Sequence, residues 1–225
     1  MPINIAMDGP VGAGKSTIAD KVSQRLGILH LDTGAMYRAC AIGVLRAGLD
    51  PQNEIETSEC CESLQIDVGY EDGTQRTLLC GEDVTSELRT PEVSAAASAV
   101  AKWQRVRQKM VRAQQELARH HDMLIDGRDI GTRVLPDAPV KIYLTASAEE
   151  RARRRWLQLE EQGQHLPYEQ VLADLIARDR QDMGRKVDPL RVAENAVVVD
   201  STNLTQEETV TKILEIVEAQ YGRRD

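Results

Sequence analysis

Residues 9–17 read GPVGAGKST and lie between an apolar run at residues 3–7 and an amphipathic segment at residues 18–27. The pattern G-x-x-x-x-G-K-[ST] has four fixed positions, filled here by Gly9, Gly14, Lys15 and Ser16. Glycines let such a loop turn its backbone N–H groups toward phosphate oxygens, while the lysine reaches the β- and γ-phosphates and the hydroxyl binds Mg²⁺. Because a strand pattern precedes the loop and a helical pattern follows it, the stretch predicts strand, phosphate loop and helix rather than an isolated glycine turn.

The expected ligand of this phosphate loop is a nucleoside triphosphate with Mg²⁺. A helix that begins near Lys15 would point the positive end of its dipole at the same anion. All nine residues are candidate contacts to the triphosphate: Gly9, Pro10, Val11, Gly12, Ala13, Gly14, Lys15, Ser16 and Thr17.

The length and charge of the chain limit the classes of protein it can belong to. Its 225 residues fit one domain with a full α/β core. Acidic residues outnumber basic ones by 36 to 28, giving a formal net charge of −8, so nucleic acids and membrane surfaces are not expected partners. With no targeting segment and no apolar run long enough to span a membrane, a cytoplasmic protein is expected, and we expect it to act as a monomer.

The four cysteines do not suggest a metal site. Cys40, Cys60, Cys61 and Cys80 form no C-x-x-C pair and show no alternation with histidine. Reduced thiols are therefore expected.

Short apolar runs alternate with longer helical patterns along most of the chain. Five of these runs predict strands, at residues 3–7, 28–31, 123–125, 140–144 and 196–199. Each is followed by a segment able to form a crossover helix. The alternation predicts an α/β fold with a five-stranded parallel sheet and helices on both faces.

One region interrupts this alternation. Residues 65–70 and 75–80 have strand-like composition and flank the turn Glu71-Asp72-Gly73. We therefore predict a β-hairpin within an inserted subdomain at about residues 63–90.

Polar side chains follow the second and third predicted strands, where ligands of parallel sheets bind. After the second strand, Asp32 and Thr33 could cap the next helix or contact a ligand, and both interpretations stay open. Arg38 lies early in that helix, where the dipole opposes a positive charge, so a phosphate partner is favoured. After the third strand, Asp126 could hold Mg²⁺ through water or cap the following loop.

The two residues that follow Gly127 have side chains suited to different parts of a nucleotide. Arg128 offers a planar fork for a phosphate, and Asp129 can accept hydrogen bonds from the amino group of a base. A small-residue segment at 95–101 precedes a basic helix, and for Ser98 and Arg107 the residues alone leave packing and ligand contact equally open.

The second half of the chain carries two groups of arginines. Helical spacing places Arg151, Arg154 and Arg155 on one face, and we interpret residues 147–163 as a helical lid that brings arginines to a migrating phosphoryl group. Pairing of Glu149 and Glu150 with neighbouring arginines is the alternative, surface interpretation. A second helix has a mixed-charge stripe, which on spacing alone favours a solvent-facing ladder of ion pairs formed by Arg178, Asp182 and Arg185. A carboxylate flanked by two arginines could equally bind ribose hydroxyls and a phosphate.

Taken in order, these segments resemble the nucleoside monophosphate kinases, in particular the bacterial cytidylate kinases. The resemblance runs over essentially the whole chain. It rests on GPVGAGKST (9–17), LDTGAMYR (31–38), GEDVTSELRTPEVSAAASAVA (81–101), RVR (105–107), IDGRDIGT (125–132), VLPDAPVKIYL (134–144), ERARRR (150–155) and ARDRQDMGR (177–185). The family commonly has serine at position 33 and serine or glycine where this loop has Val11 and Ser16, but the hydroxyl of Thr33 is retained.

The resemblance implies one kinase domain over residues 1–225 that moves the γ-phosphoryl group of ATP to CMP or dCMP, with Mg²⁺. It also implies an acceptor-binding region at about residues 33–107. The acceptor phosphate would be held by Arg38 and Arg128, cytosine by Thr33, Arg107 and Asp129, and the sugar by Ser98, Arg178 and Asp182. The transferring group would be met by Lys15, Arg128, Arg154, Arg155 and Arg185.

Two other functions remain as alternatives. The loop and lid would also suit a kinase of another small acceptor, such as UMP, AMP or shikimate, although the hairpin and the RVR element would not be expected there. A regulatory nucleotide-binding module is less favoured, since the chain has no guanine-reading N-K-x-D sequence.

Overall fold

The structure is a computed structural model that describes residues 2–222. Its strands are β1 (Asn4–Asp8), β2 (Leu29–Asp32), β3 (Ile66–Glu71), β4 (Thr74–Leu79), β5 (Glu82–Asp83), β6 (Met123–Gly127), β7 (Val140–Thr145) and β8 (Val197–Asp200). Its α-helices are α1 (Lys15–Leu26), α2 (Thr33–Arg46), α3 (Glu54–Ser63), α4 (Pro91–Val100), α5 (Gln104–His120), α6 (Ala148–Glu161), α7 (Tyr168–Met183) and α8 (Gln206–Tyr221). A π-helical turn covers Ile130–Val134.

The prediction of a five-stranded parallel sheet is confirmed. The strands lie in the order β2-β6-β1-β7-β8, and each begins and ends within one or two residues of the predicted run. Strand β1 pairs in parallel with β7, with Ile5 opposite Val140, and β7 pairs in parallel with β8, with Ile142 opposite Val197. The phosphate loop leaves the carboxyl end of β1.

One predicted crossover helix does not form. Strand β6 is followed by the π-helical turn and then by a short loop that leads into β7. Pro136 and Pro139 lie in this loop, and because proline has no N–H to donate, they disfavour continuation of a helix there.

The chain divides into two compact units. The first spans Leu29–Met123, and the second combines Ile3–Ile28 with the chain from Leu124 onward. In the second unit, the apolar core joins β1, β7 and β8 to helices α1 and α8, whose contributions include Val22 and Val210. The capping box of Thr205 and Glu208 starts α8.

The first unit contains the predicted hairpin. Strands β3 and β4 are antiparallel, with Glu71 opposite Thr74, and Asp72 and Gly73 have positive φ values of 50° and 75° in the turn between them. A two-residue turn of this kind matches the twist of the strands. A third strand, β5, completes this small sheet and was not predicted, because two residues carry no periodicity.

The core of the first unit lies between helices and this small sheet. Helix α4 packs on α2 through small side chains, including those of Ala35, Ala39 and Val93. The predicted small-residue helix and basic helix are separate elements, because residues 101–103 break between α4 and α5. No helix within residues 2–222 has both the length and the apolar character needed to cross a membrane.

Gly9 lies where β1 approaches β7 so closely that a side chain would collide with backbone. A Cβ atom added at Gly9 would lie 2.0 Å from the carbonyl oxygen of Leu144. We expect Gly9→Ala to lower the free energy of unfolding by about 1–3 kcal/mol, because the backbone must move to relieve the contact. Urea unfolding followed by circular dichroism measures the loss.

Gly69→Ala is the matched control for this substitution. A Cβ atom at Gly69 would meet only Leu78 Cδ1, at 3.8 Å, which is an ordinary contact. Equal losses of stability in the two variants would contradict the role assigned to the approach of Gly9 to Leu144.

Candidate phosphate site and its arginine–carboxylate cluster

The phosphate loop has the backbone of an anion-binding cradle. Gly12 and Gly14 have φ values of 75° and 83°, which favour glycine, and Gly14 precedes α1 without any side chain capping the helix. The first N–H groups of α1 are therefore available to a negatively charged ligand.

Lys15 is buried beneath this loop. Its Nζ atom donates to the carbonyl oxygens of Gly9 and Pro10, both at 2.9 Å. The pKa of Lys15 is lowered from 10.5 to about 7, chiefly by burial and also by the positive charge of Arg128, whereas Asp126, Asp8 and Asp182 act in the opposite direction. A polyphosphate in the loop would favour the charged ammonium.

Asp8, the last residue of β1, was missed by sequence reasoning because it reads as part of the strand. Its carboxylate is buried and accepts hydrogen bonds from the N–H groups of Ile130 and Gly131, both at 2.8 Å. Asp8 thus ties the segment that follows β6 to the start of the phosphate loop. The sequence signal that could have identified Asp8 is its position as a polar residue at the end of an apolar strand, directly before Gly9.

The carboxyl end of β6 carries three charged residues. Asp126 and Asp129 are buried, whereas Arg128 is half-buried and extends to α7. The Arg128 Nε atom donates to Asp182 Oδ2 at 2.9 Å, and Arg185 Nη2 donates to Asp182 Oδ1 at 2.5 Å. We name Arg128, Asp182 and Arg185 the arginine–carboxylate cluster.

The interpretation of the α7 stripe as a solvent-facing ladder was wrong for Asp182. The Asp182 side chain is only 1% exposed. Burial alone would raise its pKa, but the charges of Arg128 and Arg185, with a further contribution from Arg178, hold the pKa below its usual value. Sequence spacing could not reveal Arg128 as a partner, because it comes from another element.

The three arginines predicted to share a face of α6 have different environments. Arg151 is buried, and it donates to carbonyl oxygens and pairs with Asp179. Arg154 donates to Glu150 and to the backbone oxygen of Ser201. Arg155 is exposed and donates to Gln158. The three residues have the predicted helical spacing within α6, but their side chains differ in burial and in hydrogen-bond partners.

A cleft of about 670 Å³ opens beside the phosphate loop. Loop residues 12–14 form one wall, Arg153, Arg154 and Arg155 form another, and residues 201–206 after β8 form a third. The last segment was not among the predicted site residues. Its position after the carboxyl end of a parallel strand was the signal that could have found it.

In the first unit, Asp32 is both the N-terminal cap of α2 and the anionic partner of Arg38. Asp32 caps α2 by accepting from the Ala35 N–H at 3.1 Å, and its other oxygen accepts from Arg38 Nη2 at 2.7 Å. Thr33 is instead the first residue of the helix and is buried. The interpretation of Thr33 as the cap was therefore wrong.

The other two acceptor candidates of this unit lie on α4 and α5. Arg107 is 1% exposed; its Nη1 atom donates to the oxygen of Ala101 at 3.1 Å, and its guanidinium lies 5.6 Å from the centre of the Tyr37 ring. Ser98 is half-buried on α4. A nearly buried arginine over an aromatic ring is held in one orientation.

The oxygen donors near the loop fit a hard divalent cation that is shared with a substrate. Ser16 offers a hydroxyl and Asp126 a buried carboxylate. Within residues 2–222 no group of three or more histidine, cysteine or acidic side chains forms a metal site by itself. Mg²⁺ is commonly held by one or two protein oxygens together with phosphates and water, so this sparse donor set is compatible with it.

The order of these elements along the chain matches one protein family. A family model described as cytidylate kinase matches residues 5–219. The chain belongs to the cytidylate kinase family.

Curated relatives of the family cover nearly all of the chain. A cytidylate kinase from Caldicellulosiruptor saccharolyticus is 52% identical over 215 residues, which are 95% of this chain and 95% of that protein. One from Geobacter sulfurreducens is 45% identical over 213 residues, with 95% and 91% covered. The resemblance inferred from the motifs is confirmed.

A solved structure supports the fold alone. The crystal structure of an uncharacterized protein from Eubacterium ventriosum aligns with a TM-score of 0.54 and 13% identity, covering 97% of this chain and 99% of that one.

Asp8 makes the stability of this cytidylate kinase family member depend on pH in an unusual direction. Burial raises the pKa of Asp8 from 3.8 to about 6, so between these pH values the folded protein holds a proton that the unfolded chain has lost. Its contribution to the free energy of unfolding therefore falls by up to about 3 kcal/mol as the pH rises from 4 to 7. Urea unfolding of the protein and of Asp8→Asn over this range isolates the effect, because the amide does not titrate.

The free energy of unfolding of the wild-type protein, measured relative to that of Asp8→Asn, should fall by this amount toward pH 7. The uncharged substitution Gly69→Ala is the control, and its difference from the wild-type protein should not change with pH. A pH-independent difference for Asp8→Asn would show that Asp8 keeps the same protonation state in the folded and unfolded chains.

Proposed function

We propose that the protein transfers the γ-phosphoryl group of ATP to CMP or dCMP, giving ADP and CDP or dCDP. The observation that carries the proposal is the buried Lys15 beneath the phosphate loop. Lys15 lies near enough to Arg128 of the arginine–carboxylate cluster for the positive charge of Arg128 to lower the pKa of the lysine. Membership of the cytidylate kinase family supports the choice of acceptor. In this proposal, residues 1–225 act as one kinase domain and as a monomer in the cytoplasm.

The donor triphosphate would occupy the phosphate loop, with the rest of ATP in the adjoining cleft. Backbone N–H groups of residues 9–17 would bind its phosphate oxygens, and Lys15 would exchange its two carbonyl partners for the β- and γ-phosphates. Ser16 would hold Mg²⁺ directly and Asp126 would do so through water. The bound cation would neutralise charge on the phosphates.

The transfer itself needs positive charge and alignment more than proton chemistry. The acceptor is already a phosphate oxyanion, so no general base is required. Arg128 and Arg185 are held by one buried carboxylate, which fixes two guanidinium groups before substrate binds. Arg154 and Arg155, from the cleft wall, would complete the set around the migrating group.

The assignment of the acceptor nucleotide follows the family resemblance residue by residue. We assign its phosphate to Arg38 and Arg128, and its sugar to Ser98, Arg178 and Asp182. We assign cytosine to Thr33, Arg107 and Asp129. Because these base-reading groups are buried, the wrong base would leave polar groups unpaired, which discriminates more strongly than shape.

Residues 147–163, which include α6, would act as the lid. Closure would exclude the water that otherwise competes for the phosphoryl group. The exposed guanidinium of Arg155, whose hydrogen bond to Gln158 stays within the helix, would move with this lid.

The test of the function is a panel of acceptors assayed with ATP and Mg²⁺. We expect product from CMP and dCMP at rates at least about tenfold above those from UMP, AMP or shikimate. Lys15→Met is expected to lower turnover by orders of magnitude, since it removes the cation nearest the transferring charge. Product formation is read by chromatography.

The panel also separates the alternative classes. ATP hydrolysis that is independent of acceptor and faster than transfer would favour a regulatory nucleotide-binding module, and preference for another acceptor would overturn the proposal. Near-normal turnover by Lys15→Met, with an unchanged circular dichroism spectrum, would remove the loop lysine from the mechanism.

Asp129 is expected to determine the choice of base. Asp129→Ala removes the acceptor for the cytosine amino group, so the ratio of kcat/KM for CMP to that for UMP should fall by about tenfold or more. Asp67→Ala, at an exposed position on β3, is the control. An unchanged ratio in Asp129→Ala would contradict the assignment.

A further inference from the structure

The geometry of Arg151 points to a role that the lid interpretation does not contain. We propose that Arg151 is a positioning residue that orients the backbone of the phosphate loop for the donor and anchors α6 and α7 to it. This inference rests on the proposed function only in taking ATP as the ligand of the loop.

Arg151 uses its guanidinium to hold backbone from two segments. Its Nη1 atom donates to the carbonyl oxygen of Val11 at 2.9 Å, and its Nε atom donates to that of Ala146 at 2.9 Å. Val11 lies inside the phosphate loop, whereas Ala146 follows β7. One side chain therefore joins the loop to the strand next to β1.

The hydrogen bond to Val11 matters because a phosphate-binding loop must present N–H groups and not carbonyl groups. A carbonyl oxygen held by a buried guanidinium is kept directed at Arg151 and away from an anion in the loop. If the hydrogen bond from Arg151 were lost, the peptide group of Val11 could rotate and turn the negative end of its dipole toward the phosphates.

A buried carboxylate fixes the position of Arg151. Asp179 Oδ2 lies 2.7 Å from Arg151 Nη1, and the two side chains are 11% and 7% exposed. The other oxygen, Asp179 Oδ1, is buried and has no hydrogen-bond partner among the described residues. Asp179 is thus the ion-pair partner of Arg151. It lies on α7, one turn before Asp182 of the arginine–carboxylate cluster.

The packing around Gly12 independently places α6 and α7 against the loop. A Cβ atom added there would lie 3.4 Å from Arg151 Cβ and 3.2 Å from Leu175 Cδ1. The two helices that carry the predicted lid and acceptor arginines therefore contact the loop at their Arg151 and Leu175 positions.

The first experiment measures ATP binding without acceptor. Arg151→Met removes the guanidinium but keeps an unbranched apolar side chain, and we expect the Kd for ATP to rise about tenfold to a hundredfold, whereas the KM for CMP changes by less than about threefold. Arg119→Met, at an exposed position on α5 paired with Glu116, is the matched control and should leave both unchanged. Isothermal titration calorimetry gives Kd, and steady-state kinetics gives KM.

A second variant separates positioning from a purely structural role. Arg151→Met alone leaves Asp179 as an unpaired buried charge, which lowers stability, whereas Arg151→Met with Asp179→Leu replaces the ion pair by apolar side chains of similar size. We expect the double variant to recover most of the lost Tm while its Kd for ATP stays raised.

Two results would overturn the proposal. One is recovery of ATP affinity together with Tm in the double variant, and the other is a Kd for Arg151→Met within about twofold of the Arg119→Met value. A wild-type protein that binds ATP but does not phosphorylate CMP would overturn the proposed function instead, and the comparison of ATP affinities would still decide the role of Arg151.

Discussion

Buried carboxylates hold the positive charges around the phosphate loop of the second unit, and the chemistry of that site depends on this arrangement. Asp182 holds Arg128 and Arg185, and Asp179 holds Arg151. Buried guanidinium groups without partners would be costly, and guanidinium groups free in water would be mobile. A partner carboxylate solves both problems, and it explains how a chain with net charge −8 can build a site for polyphosphates.

The two carboxylates of α7 have different consequences for a ligand. Asp182 accepts from the Nε atom of Arg128 and from one Nη atom of Arg185. Asp179 pairs with Arg151, which also donates to the backbone oxygens of Ala146 and Val11. In the proposed function, Arg128 and Arg185 also bind substrate, whereas Arg151 shapes the loop. Helical spacing brings the carboxylates to adjacent turns of one helix and so links the two functions mechanically.

The fold could be predicted from the sequence because its signals are local. Each strand is a short apolar run followed by polar residues, and the phosphate loop has fixed spacing, so element type and order were available without tertiary information. The strand β5 and the π-helical turn after β6 were not predictable in this way, because neither has enough residues to show a period.

The site was predictable only in its residue types, since partner choice depends on tertiary structure. The sequence identified Arg38 as needing an anion but did not show that Asp32 is within 2.7 Å of it. It grouped Arg151 with Arg154 and Arg155 by spacing, although burial beside Val11 and Asp179 separates them.

The same reasoning explains why Asp8 and Asp179 were missed. Asp8 ends a strand whose pattern predicts only packing, and Asp179 lies beside the charged stripe of α7, whose spacing does not show a partner on another helix. The role of a buried charged side chain is shown by the group that it binds. Its position in a sequence pattern does not identify that group. Asp8 holds two N–H groups of the segment that follows Arg128 and Asp129, and Asp179 holds the arginine that contacts the phosphate loop. Asp8 on β1 thus fixes the segment after β6, and Asp179 on α7 fixes the arginine that holds the phosphate loop.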